Sequence, residues 1–134
     1  MKKIFSASPV WQNNGLFLIR IIAGFLLIWH GWEIFNAEKM KGYVSWDMFK
    51  TKSFLPYFGK ATELAGGVLL FLGLFTRIGC LLLIGAFAYI TFFVGKGKFW
   101  MDDQHPFLFV LIAMLFIFTG PGVLALDNLL FKKK

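Results

Sequence analysis

Long apolar stretches, broken by charge at only a few places, set the pattern of this chain. Residues 64–75, 78–95 and 106–126 carry no charged side chain, and another apolar run extends from Gly15 to Phe35. Crossing the hydrocarbon of a bilayer takes about 20 residues of helix. The 64–75 run reaches that length when "FLPYFGKATE" is added before it. The pattern predicts four spans, 15–35, 57–76, 78–95 and 105–122, in a single domain over 1–134. The expected fold is all-α: a polytopic membrane protein built as a four-helix up-down bundle. The first run could be read as a secretory leader, but no small-residue cleavage site follows it and it contains charges.

The segments between the runs have their own character. "NAEKMKGYVSWDMFKTKSFLPYF" is long for a hairpin connection. It alternates Tyr43, Trp46, Phe49, Phe54, Tyr57 and Phe58 with lysines and acids. That mixture suits an interfacial segment, either an aromatic belt or a lid over a pocket between the spans. "GLFTRIG" leaves Thr76 and Arg77 as a tight turn between spans two and three. "TGPG" breaks the fourth span, because proline lacks a backbone donor. "VLALDNLLFKKK" then reads as a short amphipathic C-terminal helix. "GKGKFW" lacks the spacing and the following Ser or Thr of a phosphate loop.

Composition strengthens the membrane reading. Hydrophobic residues make up 58% of the 134 and aromatics 19%, with a mean hydropathy of +0.71. Soluble domains average about 45–50% apolar residues. The net charge of +7 comes without any nucleic-acid motif, so the expected partner is anionic lipid. Lysines and arginines divide evenly between the two sides of such a bundle. Lys2 and Lys3 cluster with Lys132 to Lys134, which places both termini in the cytoplasm. Cys80 is the single cysteine, so the chain can form no intramolecular disulfide.

Charged groups inside a span are costly and usually face the bundle interior or a cavity. On a helix of 3.6 residues per turn, Arg20, Ala23, Leu27, His30 and Ile34 form one stripe, with Gly24 and Gly31 beside it. In the second span Glu63, Gly67, Leu70, Leu74 and Arg77 share a face. If the first two spans are antiparallel neighbours, His30 and Glu63 lie at nearly the same depth. Burial raises a carboxyl pKa and lowers that of histidine, while pairing does the reverse. His30 and Glu63 are therefore the candidate catalytic residues, and a structural pair that sets helix register is the alternative. Trp29, Trp32, Glu33, Tyr57, Tyr89, Thr91 and His105 are the candidate ligand-binding residues around them. Arg20, Arg77 and Asp127 form a polar network at the opposite end. Two histidines without a clustered carboxylate motif do not make a metal site.

"R…G…WHGWEIF" from Arg20, "ELAGGVLLFLGLFTRIGCLLL" from Glu63 and "TGPGVLALDNLL" from Thr119 together resemble the DoxX family. The resemblance covers most of the chain outside the first ten residues and the 36–56 loop. It implies a four-helix protein of the bacterial inner (cytoplasmic) membrane. It also implies a link to quinone-dependent oxidoreductases, some of them concerned with sulfur or thiol chemistry. Arg20, His30, Glu63, Arg77 and Asp127 fall at polar positions of the family pattern.

Two functions follow as expectations. One is a small membrane subunit of, or accessory to, a quinone-linked oxidoreductase, with quinone as the expected cofactor and an oxidoreductase as partner. The chain has no haem-ligand pair, flavin motif or dithiol with which to carry electrons alone. The other is a non-catalytic assembly factor whose small-residue faces, such as Gly66–Gly67, pack against a larger complex or a second copy. A transporter is disfavoured because no pair of spans is broken within the hydrocarbon.

Overall fold

The computed structural model describes residues 5–132. Lys2, Lys3, Lys133 and Lys134, used above to orient the chain, lie outside the described residues. The described chain is all-helical, with six α-helices and no strand. They are α1 (Gln12–Gly31), α2 (Ala37–Val44), α3 (Phe54–Leu72), α4 (Thr76–Tyr89), α5 (Gln104–Thr119) and α6 (Leu126–Phe131). Single 3-10 turns follow α1 at Trp32–Phe35 and α2 at Asp47–Phe49, and a π-helical turn, Ile90–Val94, extends α4.

The boundaries have local causes. Asn36 caps α2 by accepting hydrogen bonds from the Glu38 and Lys39 amides, both at 3.1 Å. Pro56 and Pro106 sit in the first turns of α3 and α5, where no intrahelical donor is lost. Gly73, at φ 65°, closes α3 in the left-handed region, and the Leu74 amide bonds back to Leu69 O at 3.0 Å. The turn between α3 and α4 is therefore Gly73 to Phe75, and Thr76 and Arg77 already belong to α4. The earlier turn arises because glycine alone takes the positive φ cheaply and because Asp127 caps the start of α4. α5 stops at Thr119, where Gly120 takes φ 78° ahead of Pro121.

Packing follows from glycine placement. A Cβ on Gly24 would lie 2.7 Å from Phe71 Cα, and one on Gly31 would lie 2.6 Å from Leu64 Cα. Gly67 returns the contact against Leu27, so α1 and α3 run antiparallel at close range. Gly66 meets Leu83 and Gly79 meets Leu69, which makes α3 and α4 antiparallel as well. Phe87 stacks on Phe109 at one level, while the Arg77 Nε donates to Ile117 O at another, pairing α4 with α5. α1 and α5 approach at one end, where His30 lies near His105, and the segment after α5 meets α1 at the other, with Gly122 against Leu16. Leu16, Ala23, Leu27, Leu70, Cys80, Leu83, Val110, Ala113 and Phe116 fill the centre.

The outer surface is as apolar as the interior, with Ile22, Phe25, Leu26, Ile78, Leu81 and Phe118 all exposed. Soluble monomers rarely expose contiguous apolar patches beyond a few hundred Å². Gln12–Phe35 and Thr76–Val94 are each long and apolar enough to cross a membrane, and α5 is apolar but shorter.

The close approach of α1 to α3 yields a direct test. Gly24→Ala should lower stability by about 1–3 kcal/mol, because the methyl group meets backbone that cannot swing aside. Gly15→Ala, whose Cβ meets nothing within 4 Å, should be neutral or stabilise by up to about 1 kcal/mol through helix propensity. Thermal melting of both variants in detergent checks the pair.

Candidate functional site

Lys60 and Glu63 stand one turn apart on α3 and therefore share a face. The Lys60 ammonium lies 3.1 Å from Glu63 Oε2 and 3.1 Å from Glu33 Oε2, and it donates to His30 O at 3.3 Å. Glu33 is presented by the 3-10 turn after α1 and also receives Lys39 at 2.8 Å. Tyr43 of α2 completes the cluster, donating to Glu33 Oε2 at 3.0 Å while its ring lies 5.3 Å from the Lys60 ammonium. Burial pushes the Tyr43 hydroxyl up, and its hydrogen bond to Glu33 adds to that shift despite the opposing Lys60 charge. Tyr43 thus stays a proton donor at neutral pH. Removing a charge from water is tolerable only when its partners are in place. Here one lysine serves two carboxylates from different segments.

Beside this cluster lies a cavity of about 590 Å³. Its walls come from α3, α4 and the start of α5, and the loop residues Tyr43, Trp46 and Phe49 also line it. His30, Lys60, Glu63 and His105 supply most of its polarity within a predominantly apolar lining. The His30 and His105 rings lie 6.5 Å apart, edge to face. Neither imidazole has a hydrogen-bond partner among the described residues. Glu63 is only 7% exposed, and its single hydrogen bond uses Oε2, which leaves Oε1 without a protein partner. The π turn contributes Ile90 and Val94 to the wall. Such turns insert one extra residue and recur at functional sites.

The structure brings some of the sequence candidates together and separates others. His30, Glu63, His105 and Tyr89 line the cavity. Glu63 bonds to Lys60, and its carboxylate makes no hydrogen bond to His30. Glu33 sits just outside, as a ligand of Lys60. Trp29, Trp32 and Tyr57 turn outward and are exposed. Thr91 is fully buried, its hydroxyl donating to Phe87 O at 2.8 Å within its own helix. Among the described residues no group of three or more His, Cys, Asp or Glu is arranged to hold a metal. Lys60, the hub of the cluster, is what sequence reasoning missed. Its spacing of three residues before Glu63 was the available signal.

At the other end, Arg20 is completely buried and donates from Nη2 to Val123 O (3.3 Å) and Leu124 O (3.0 Å). Its guanidinium lies against Gly73, where any side chain would collide with it. The Asp127 carboxylate accepts the amides of Phe75 (2.6 Å) and Thr76 (2.9 Å), capping α4, and forms no ion pair with Arg20. Arg77 bonds to Ile117 O. The three residues thus share one end of the bundle and bond there to backbone, with Arg20 Nε and Nη1 left without a partner among the described residues.

The sequence profile of the DoxX family matches residues 15–96, which include α1, the whole Lys60 cluster and α4. The chain belongs to the DoxX family. A protein of Bacillus subtilis (strain 168), named CatD and provisionally described as an oxidoreductase, is 35% identical over 125 residues, 90% of each chain. An uncharacterized protein of Haemophilus influenzae is 40% identical over 78 residues, 53% of this chain and 58% of that one. No solved structure matches. Family membership and the apolar helices point to a membrane protein, and the CatD name supports an association with oxidoreductase chemistry.

Two outcomes follow from the geometry. Lys60→Met should destabilise the protein by up to about 3 kcal/mol, since two largely buried carboxylates lose their shared cation. Adding Glu63→Gln should recover part of that loss, which melting of the single and double variants would show. Asp127→Ala should cost about 1 kcal/mol through loss of the α4 cap.

Proposed function

We propose that this DoxX protein is a single-domain, four-span protein of the cytoplasmic membrane that serves a quinone-linked oxidoreductase as a small subunit or accessory. The spans are 15–35, 57–76, 78–95 and 105–122, with both termini cytoplasmic and the aromatic loop at the outer surface. One observation carries the functional part. Two imidazoles and Oε1 of Glu63, none with a protein partner among the described residues, line a predominantly apolar cavity. Its volume lies within the ~300–1,000 Å³ of small-molecule sites.

That donor set fits a quinone. His30 and His105 can each donate to a ring oxygen, and Glu63 can accept or return a proton beside it. When bound, the quinone supplies two-electron, two-proton carrier chemistry. The protein's own part is to hold the ring, to exclude water with Tyr43, Trp46 and Phe49, and to position a proton on Glu63. Lys60 sets that proton's availability, because it holds Oε2 and leaves Oε1 turned to the ligand. Trp29, Trp32 and Tyr57 belong to the surrounding lipid interface in this reading.

The test is native mass spectrometry of the protein extracted gently from its own membrane. The expected result is a retained quinone, with affinity about tenfold lower in Glu63→Gln, the loss of one charge-assisted hydrogen bond. Circular dichroism should show the helices unchanged. A bare chain that keeps its fold and instead carries other proteins would overturn the ligand reading and identify an assembly factor.

A further inference from the structure

Gly59 and Gly85 are unlike the glycines that pack the bundle. Gly24, Gly31, Gly66, Gly67 and Gly79 each touch a neighbouring helix so closely that a Cβ would collide. At Gly59 on α3 and Gly85 on α4, a Cβ would meet nothing within 4 Å, yet both residues line the cavity. Glycine is unfavourable inside a helix unless something needs the space. α3 and α4 therefore touch at Gly66, Leu69, Gly79 and Leu83 and leave open space between them towards Gly59 and Gly85.

That open space reaches the outer surface of the bundle. Phe58 and Leu81 line the cavity and are also 67% and 61% exposed, so the cavity is continuous with the apolar exterior between the two helices. Thr62 and Tyr89 are polar side chains on this rim, and the Thr62 hydroxyl is turned to Phe58 O at 2.9 Å. The rest of the rim is apolar. The groups that need a partner, Glu63 Oε1 and the two imidazoles, lie at the other end, against α1 and α5.

We propose that the ligand enters sideways from the bilayer through the α3–α4 cleft, and that the cleft holds its hydrocarbon tail. Gly59 and Gly85 are then specificity-determining residues: they select a ligand with a compact hydrogen-bonding head and an unbranched or isoprenoid tail, drawn from lipid and not from water. The inference rests on the ligand site proposed above and adds the tail and the route. A Cβ at position 85 would meet no protein atom within 4 Å, so a leucine there would extend into the tail's path.

Binding of two probes to the full chain in nanodiscs tests this. One is decylubiquinone, and the other is its tailless relative 2,3-dimethoxy-5-methyl-1,4-benzoquinone. Gly85→Leu should weaken decylubiquinone by at least about tenfold, from overpacking of the cleft, and change the tailless probe by less than about twofold. Gly59→Leu, from the opposite wall, should repeat the discrimination and guards against a fold defect peculiar to one variant. Both quinones binding wild type, with neither affected or both weakened equally in variants of unchanged melting temperature, would overturn the cleft while sparing the head site. Failure of both quinones to bind wild type would overturn the head site and the cleft together.

Discussion

A cation withdrawn from water must be answered by charge or by carbonyl oxygens, and this constraint organises both ends of the bundle. At one end the Lys60 ammonium is held by Glu33, Glu63 and the His30 carbonyl. Those three partners come from the turn after α1, from α3 itself and from the end of α1. The lysine therefore fixes how the first two long helices meet. At the other end the Arg20 guanidinium is answered by the carbonyls of Val123 and Leu124, which draws the segment after α5 under α1. Neither solution is an isolated ion pair. Lys60 spreads its charge over two chain segments and Arg20 ties α1 to a third, so each also acts as a fastener.

Between these ends glycine decides distance. Where Gly24, Gly31 and Gly67 face a neighbour, the backbones of α1 and α3 come into contact and leave no room for a ligand. Where Gly59 and Gly85 face no neighbour, the same absence of a side chain produces space. Identical residues thus build both the seam and the cleft. The difference lies in whether a second helix approaches: α3 and α4 touch at Gly66 and Gly79, and no atom comes within 4 Å of a Cβ at Gly59 or Gly85. The aromatic loop covers the cavity end because Tyr43 is tied to Glu33 and the Trp46 and Phe49 rings stack at 6.1 Å.

DoxX membership, the apolar exterior and an oxidoreductase-named relative describe a membrane protein associated with redox chemistry. In the proposed reading that chemistry sits at the cavity beside the Lys60 cluster. The lysine–carboxylate hub there adjoins two imidazoles and a carboxylate oxygen that have no protein partner among the described residues. Tyr43 joins the hub through its hydrogen bond to Glu33 and its ring over Lys60.

The sequence by itself determined the helical class, the approximate extent of the long helices and the inward face of α1 through Arg20, Ala23 and Leu27. These follow from local periodicity: an apolar run long enough for a helix and a 3.6-residue repeat need no tertiary information. It also placed His30, Glu63 and His105 near one end, because residue counts along antiparallel helices measure depth. It could not show which way each side chain points around its axis, so the outward turn of Trp29, Trp32 and Tyr57 came only with packing. The partner of Glu63 was likewise decided in three dimensions. A lysine reached it from its own helix before a histidine reached it from the next. The end of α3 at Gly73 depended on Asp127, over fifty residues away, capping α4. Contacts of that range leave no local signature, and they decide where the charges rest and where the cavity opens.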